Sequence, residues 1–206
     1  MVVRRGFGPG IVVAACLVAA AVAACAPVVS RGGPGTLNPG LDEAPLSTKL
    51  DKKDLDYLVE QNLSALYASA FWTGEVTGSG RPFVTIFPIR NATSQHVDDE
   101  MATLLSSIET SLVNSGAVNV VSRENQTAML AEIDYQNGAG MDAATAAKVG
   151  RQLNAKYYIT GKLGAVDERL KRTRRVQYSL FIQVIDVETS LIKFQHESVR
   201  SKAVKG

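Results

Sequence analysis

The sequence predicts an α/β (α+β) fold, a single globular domain in which helices pack on a mixed β-sheet that ends in an antiparallel meander. Helical and strand patterns alternate through the first part of the folded region, which favours helices packed on a mixed sheet. Three strand-like segments then follow with short connections, which is typical of antiparallel neighbours. About 155 residues remain after the N-terminal segments, enough to bury one substantial core.

Two amphipathic helices are predicted first. Apolar residues recur at helical spacing over residues 51–70, and Gly74 then breaks the pattern. A stripe of apolar residues over 97–112 predicts the second helix, and Gly116 suits the position after its C-terminus. The first turn of this helix holds three acidic residues, where the helix dipole favours negative charge: Asp98, Asp99 and Glu100.

Strands and further helices alternate around these elements. Residues 83–87 and 118–121 are rich in β-branched and aromatic side chains and predict strands. Ser122 suits the start of a helix that carries Met129, Leu130 and Ile133. Asp142 suits the start of an alanine-rich helix that ends near Asn154.

The chain closes with three predicted strands. They cover residues 157–163, 176–184 and 191–199, and the second alternates apolar and polar side chains, as a half-buried strand does. Residues 186–190 form the predicted turn into the last strand. These connections predict the antiparallel meander.

The N-terminus predicts a lipoprotein signal peptide over residues 1–24. Arg4 and Arg5 precede a short apolar run that ends in Val-Ala-Ala-Cys at Cys25. The run is about 14 residues long, too short to span a bilayer comfortably. Cys16 follows the same tripeptide but has almost no apolar run before it, so Cys25 is the predicted lipid attachment site. Acyl chains on this residue provide a stable membrane anchor.

Residues 25–50 predict a flexible tether, because prolines and glycines alternate there without apolar periodicity. Its fully extended reach is about 80 Å, and its typical span as a coil is about 25–30 Å. The folded domain is predicted to occupy residues 51–206. Ala26, the residue after the lipidated cysteine, favours sorting to the outer membrane, with the domain facing the periplasm.

The charge balance and the cysteine content argue against nucleic-acid binding and against a cysteine-based metal site. The chain has 22 basic and 20 acidic side chains, so removing Arg4 and Arg5 with the signal leaves 20 of each. A neutral mature chain is a poor candidate for general nucleic-acid binding. Its single remaining cysteine is acylated, which leaves no disulfide and no cysteine-based zinc site.

The sequence contains no convincing catalytic motif. His96 and His196 have no second ligand at metal-binding spacing, so His96 is expected to be solvated or capping and His196 to face the surface. No Gly-x-Ser-x-Gly occurs, and residues 161–164 only superficially match a phosphate loop. We therefore expect neither an enzyme, nor a metal site, nor a cofactor.

One charged cluster stands out between the first two closing strands. It contains five basic side chains within seven residues: Arg169, Lys171, Arg172, Arg174 and Arg175. It is either a solvated hairpin tip or a docking patch for an acidic protein, an anionic lipid headgroup or an acidic cell-wall polymer. Arginine favours bidentate contacts with carboxylate or phosphate groups, which supports the docking interpretations.

Four motifs, in order, resemble LpoB-like lipoproteins, which activate penicillin-binding proteins. Residues 85–98 (TIFPIRNATSQHVD) are similar to that family's strand and I-x-N-x-T-x-x-H-I-D loop. Residues 121–132, 146–158 and 185–189 are similar to its next strand and helix, its Lys/Gly-containing run and its D-x-E-T turn. The similarity extends over residues 55–199. Ser190, Leu191 and Phe194 depart from the family's usual glycine, acidic residue and tryptophan.

The resemblance implies a non-enzymatic regulator that docks on a bifunctional peptidoglycan synthase and favours its active state. The basic cluster is then the expected docking patch. An alternative is a CsgG-like outer-membrane secretion lipoprotein, which needs long hairpins of lipid-facing strands. The one candidate hairpin carries the basic cluster at its tip and leaves little room for such strands. A third class, a cell-wall hydrolase, needs an acid or nucleophile pair that the sequence does not offer.

Overall fold

The computed structural model describes residues 35–41, 43–122 and 143–205. Cys25, the helix predicted after Ser122 and the cap predicted at Asp142 lie outside these residues. The chain divides into two units, Met1–Ala44 and Pro45–Gly206. In the first, the described backbone forms turns, with the Leu41 amide donating to the Asn38 carbonyl at 3.1 Å. The second contains every helix and strand described below.

The first helix, α1, spans Lys52–Ala68. Asp51 and Asp54 form a capping box in which each side chain accepts a hydrogen bond from the other residue's backbone amide, both at 3.1 Å. The apolar stripe predicted from the sequence is buried along this helix. A π-helical segment, Phe71–Val76, follows and turns Phe71 and Trp72 into the core.

The second helix, α2, spans Asp98–Ser115 and ends at Gly116, whose φ of 64° is the left-handed conformation that glycine adopts easily. The three acidic residues lie in its first turn, as predicted. Its buried stripe consists of Met101, Leu104, Ile108 and Leu112. The alanine-rich helix, α3, spans Ala143–Gln152.

Six strands form one sheet. They are β1 (Phe83–Ile86), β2 (Arg90–Asn91), β3 (Asn119–Val120), β4 (Tyr157–Leu170), β5 (Thr173–Asp186) and β6 (Ile192–Lys205). The order is β3-β1-β4-β5-β6, with β2 also beside β4. The pairs among β1 to β4 are parallel, and β4-β5-β6 is antiparallel. The predicted mixed sheet with a C-terminal meander is confirmed.

The main core lies between one face of this sheet and the helices α1 and α2. Tyr157 and Ile159 of β4 point into it, whereas Tyr158, between them, joins a smaller cluster on the opposite face. Val149 of α3 is buried in that second cluster, so α3 covers the far side of the sheet. Helices therefore pack on both faces near β1 and the start of β4.

The three closing strands are longer than the sequence analysis predicted. β4 continues to Leu170, β5 already begins at Thr173 and β6 continues to Lys205, so each has 14 residues. Half of the added residues are charged and most are exposed, so they lack the alternation that marks a half-buried strand. Their backbones nevertheless continue the ladder. The strand lengths predicted from the sequence were therefore too short.

The glycine-rich stretch in β4 has a packing role. A Cβ atom on Gly161 would lie 2.1 Å from the Phe181 carbonyl oxygen of the neighbouring strand. Only glycine fits at this position without a backbone shift. The resemblance of residues 161–164 to a phosphate loop is thus accounted for by strand packing.

Candidate docking site at the basic hairpin

The basic cluster occupies the turn and the adjacent ends of β4 and β5. Leu170 pairs with Thr173, which leaves Lys171 and Arg172 as a two-residue turn, and Lys171 adopts a positive φ of 53°. Before the turn, Arg169 lies opposite Arg174 on the same face of the hairpin. The ladder therefore gathers the predicted docking residues at one end of the sheet.

Two of the five basic side chains are already paired with carboxylates. Arg174 donates to both oxygens of Asp167, with Nε to Oδ1 at 3.0 Å and Nη2 to Oδ2 at 2.6 Å. This fork lowers the pKa of the Asp167 carboxyl and raises the pKa of Arg174. Arg175 pairs with Glu168, the residue opposite it across the strands.

The other three basic side chains point outward. Arg169, Lys171 and Arg172 are exposed, and none makes a hydrogen bond or ion pair within the described part of the chain. Together with Glu168, Thr173 and Arg175 they line an open depression at the hairpin end. Guanidinium groups presented in this way suit a carboxylate-bearing or phosphate-bearing surface. The cluster thus separates into a paired set and an outward set, a distinction that spacing alone did not reveal.

The root of the hairpin is fixed by Tyr178 of β5, which is fully buried. Its hydroxyl donates to the Thr48 carbonyl at 2.9 Å and accepts from Gln95 Nε2 at 2.6 Å. Arg174 Nη1 also donates to Thr48 Oγ1, at 3.2 Å. The hairpin is therefore joined both to the segment before α1 and to the loop before α2.

Gln95 belongs to the loop whose sequence resembles the LpoB-like motif. Asn91 organises this loop, since its Oδ1 accepts from the Thr93 amide at 2.9 Å and its Nδ2 donates to the Gln95 carbonyl at 2.9 Å. His96 in the same loop is exposed. The loop therefore positions Gln95 for its hydrogen bond to the buried Tyr178.

Sequence reasoning missed a buried charged cluster near the hairpin. Lys202 of β6 lies 2.5 Å from Asp51 Oδ2 and 2.6 Å from Asp54 Oδ2, and it donates to the Lys49 carbonyl at 2.8 Å. Burial acts to lower the pKa of Lys202, but its hydrogen bonds to Asp51 and Asp54 outweigh burial and raise it. Arg200 stacks on Tyr57 with its guanidinium carbon 4.5 Å from the ring centre.

A second polar network was also missed, and it involves His196. Its Nδ1 lies 3.1 Å from Oδ1 of the buried Asn62, whose Nδ2 contacts Ser198 Oγ at 2.6 Å and the Leu180 carbonyl at 3.0 Å. His196 is therefore half-buried against α1, and the expectation of a surface position is wrong. A polar residue within an apolar helical stripe, as Asn62 is, was the available signal.

The turn between β5 and β6 contains Ser190, one of the departures from the LpoB-like pattern. Asp186 Oδ1 accepts from the amides of Glu188 and Thr189, at 3.0 and 2.8 Å. Partial burial acts to raise the pKa of Asp186, but these hydrogen bonds outweigh it and lower the pKa. Ser190 has a φ of 59°, a conformation in which the usual glycine is easier to accommodate.

Within residues 35–41, 43–122 and 143–205, no group of three potential metal ligands comes together. The same ranges contain no helix with the length and apolarity needed to cross a bilayer.

This chain belongs to the LpoB family. The family model, described as peptidoglycan-synthase activator LpoB, matches residues 54–199, so the resemblance stated from four sequence motifs is confirmed. Comparison with curated proteins finds no match.

Solved structures show the same fold. The C-terminal domain of LpoB from Escherichia coli is 17% identical, with 72% of this chain and 99% of that chain covered and a TM-score of 0.51. The corresponding Salmonella enterica domain is 15% identical, with 71% and 98% covered and a TM-score of 0.51. At these identities the likeness concerns the fold alone.

Proposed function

We propose that this chain is a membrane-anchored, non-enzymatic regulator that binds and activates a bifunctional peptidoglycan synthase, a penicillin-binding protein. The observation that carries the proposal is the match to the peptidoglycan-synthase activator family over residues 54–199. It favours this function over a CsgG-like secretion role. The proposal needs no cofactor, because the synthase supplies the chemistry.

The anchor in this proposal is Cys25, which is acylated and becomes the first residue of the mature chain when residues 1–24 are removed. Residues 25–50 then tether the domain to the outer membrane, facing the periplasm. A Cys25→Ala variant should lose acylation and appear in the soluble periplasmic fraction, whereas a Cys16→Ala variant should remain with the membrane. Intact mass and fractionation measure both, and a soluble Cys16→Ala variant would contradict the assignment.

The docking patch in this proposal is the basic hairpin. Its outward set, Arg169, Lys171 and Arg172, provides the charges that meet the partner. The paired set, Arg174 and Arg175, is already bound to Asp167 and Glu168. Complementary carboxylates on the synthase would accelerate encounter and fix its orientation.

Glycan-strand polymerisation by the purified cognate synthase tests activation. Addition of the full-length chain in detergent should raise the polymerisation rate, and the two proteins should co-purify. Charge reversal at Arg172 and Arg174 should weaken both effects, the first by removing an outward charge and the second by opening the root of the hairpin. Absence of both binding and rate change for the wild-type chain would refute the proposed function.

A further inference from the structure

Residues 48–51 form a short strap that lies across β5 and β6. The strap comprises the last three residues of the predicted tether (25–50) and the N-cap of α1. Thr48 receives hydrogen bonds from Tyr178 and Arg174, and the Lys49 carbonyl receives one from Lys202. The Leu50 side chain is buried in the main core. At its far end the strap becomes the N-cap of α1 through Asp51.

The strap is attached differently from the strands beneath it. Side chains of β5 and β6 hold its carbonyls at Thr48 and Lys49, while each of β4, β5 and β6 is held by a continuous backbone ladder. A segment held by a few side-chain hydrogen bonds opens more readily than a ladder. The Thr48 end of the strap can therefore detach while Leu50 stays buried and the sheet stays folded.

The order in which the strap would detach follows from its direction. A pull from the N-terminal side acts on Thr48 first, and Thr48 contacts the two residues that fix the root of the basic hairpin, Arg174 and Tyr178. The contacts of Lys202 with Lys49 and Asp51 come later along the chain. The most easily reached contacts are thus those that serve the proposed docking patch.

We propose that residues 48–51 are a regulatory strap that keeps the basic hairpin in its docking conformation while seated and loosens it when released. The inference rests on the proposed function, since it concerns regulation of the same patch. Release leaves Arg174 with Asp167 alone and removes the hydrogen-bond acceptor of the Tyr178 hydroxyl. A looser hairpin pays more ordering entropy on binding and therefore docks more weakly.

Lys49 offers a direct readout, because it is exposed and a tryptic cut after it falls within the strap. The release variant combines Thr48→Val with Tyr178→Phe, which removes both hydrogen-bond groups at the first contact. Thr48→Val alone is the milder but decisive form, because Tyr178→Phe also removes the hydrogen-bond acceptor of Gln95 Nε2. The matched control is Tyr67→Phe, since the buried Tyr67 hydroxyl has no hydrogen-bond partner within the described residues.

The experiment measures two quantities on full-length protein in detergent, the rate of tryptic cleavage after Lys49 and the affinity for the purified synthase. The release variant should be cleaved about tenfold faster and bind about tenfold more weakly, and Thr48→Val should change both in the same direction. Tyr67→Phe should change neither. Circular dichroism confirms that each variant is folded.

The outcomes separate the two proposals. Unchanged cleavage in the release variant, or faster cleavage with unchanged affinity, overturns the strap while docking stands. Wild-type protein that fails to bind the synthase overturns the proposed function, whatever the cleavage rates are. Parallel changes in cleavage and affinity, with an unchanged Tyr67→Phe control, support the strap.

Discussion

Two clusters, each with both basic and acidic side chains, lie at the same end of the sheet. One is largely buried, and the other is exposed. The buried cluster joins Lys202 and Asp54, whose side chains are 7% and 2% exposed, to Asp51 at its edge, whose side chain is 41% exposed. The surface cluster is the hairpin, where the side chains of the pair Arg175 and Glu168 are 54% and 55% exposed. The two clusters use the same chemical groups.

The difference in exposure assigns different tasks to the clusters. Removing one member of a buried pair leaves an uncompensated charge away from water, which is strongly destabilising. An exposed pair exchanges its partner for water at little cost. The buried cluster is therefore suited to holding the strap and α1 on β6, and the hairpin is suited to presenting charged side chains to a partner.

Lys202→Met should cause the largest change in stability, because it removes the nearer cation of the buried Asp54 and leaves only Arg200, whose Nε lies 3.7 Å from Asp54 Oδ1. We expect the free energy of unfolding to fall by about 3 kcal/mol, measured by urea denaturation. Lys205→Met on the same strand removes an exposed lysine and should change it by less than about 0.5 kcal/mol. Equal effects of the two substitutions would remove the distinction between buried and exposed charges.

Asn62→Ala should cause the second-largest loss in the free energy of unfolding. It deprives the Leu180 carbonyl and His196 of a buried partner, so we expect a loss of about 2 kcal/mol in the free energy of unfolding. The neighbouring exposed Gln61 provides the control, since Gln61→Ala should be nearly neutral. A neutral Asn62→Ala would mean that the Asn62 network does not contribute to stability.

The pH dependence of stability should reveal the contribution of the buried cluster. Partial burial acts to raise the pKa of Asp51, but hydrogen bonds from Lys202 and the Asp54 amide outweigh it and lower the pKa below its ordinary 3.8. A lowered pKa gives stability that is present above pH 3.8 and lost as the pH falls through the folded-state value. Thermal denaturation between pH 5 and 2 should show this loss, and Asp51→Asn should flatten it.

Glu168→Gln should have the smallest effect, because its exposed pair with Arg175 is screened by water. The free energy of unfolding should change by less than about 0.5 kcal/mol. The hairpin nevertheless stays formed, since the ladder between β4 and β5 does not depend on that carboxylate. A loss above about 1 kcal/mol, seen in the same urea titration, would show that the hairpin needs its own ion pairs.

The sequence predicted those helices and strands in which burial of one face imposes a regular spacing of apolar side chains. The stripe of α2 and the alternation in β5 predicted those elements, since one face of each packs on the core. The ends of β4 and β6 could not be predicted in this way, because most of their side chains are exposed and the buried one in β6, Lys202, is charged rather than apolar. The family resemblance came from motifs, not from periodicity.

The candidate site was predictable only in part. The basic cluster was visible because its residues are adjacent in sequence, and its position in a hairpin followed from the flanking strands. Its division into paired and outward side chains depends on strand register, which places Glu168 opposite Arg175. The strap depends on contacts across more than 120 residues, between Thr48 and both Arg174 and Tyr178, and no local pattern reports such contacts.

The affinity of the purified synthase for the chain tests the proposed docking most directly. Reversing the outward set with Arg169→Glu, Lys171→Glu and Arg172→Glu should weaken binding at least about 100-fold and leave the melting temperature unchanged. A control with three reversed lysines on the helices, at Lys52, Lys53 and Lys148, should bind like the wild type. Wild-type affinity in the hairpin variant would contradict docking through the basic hairpin.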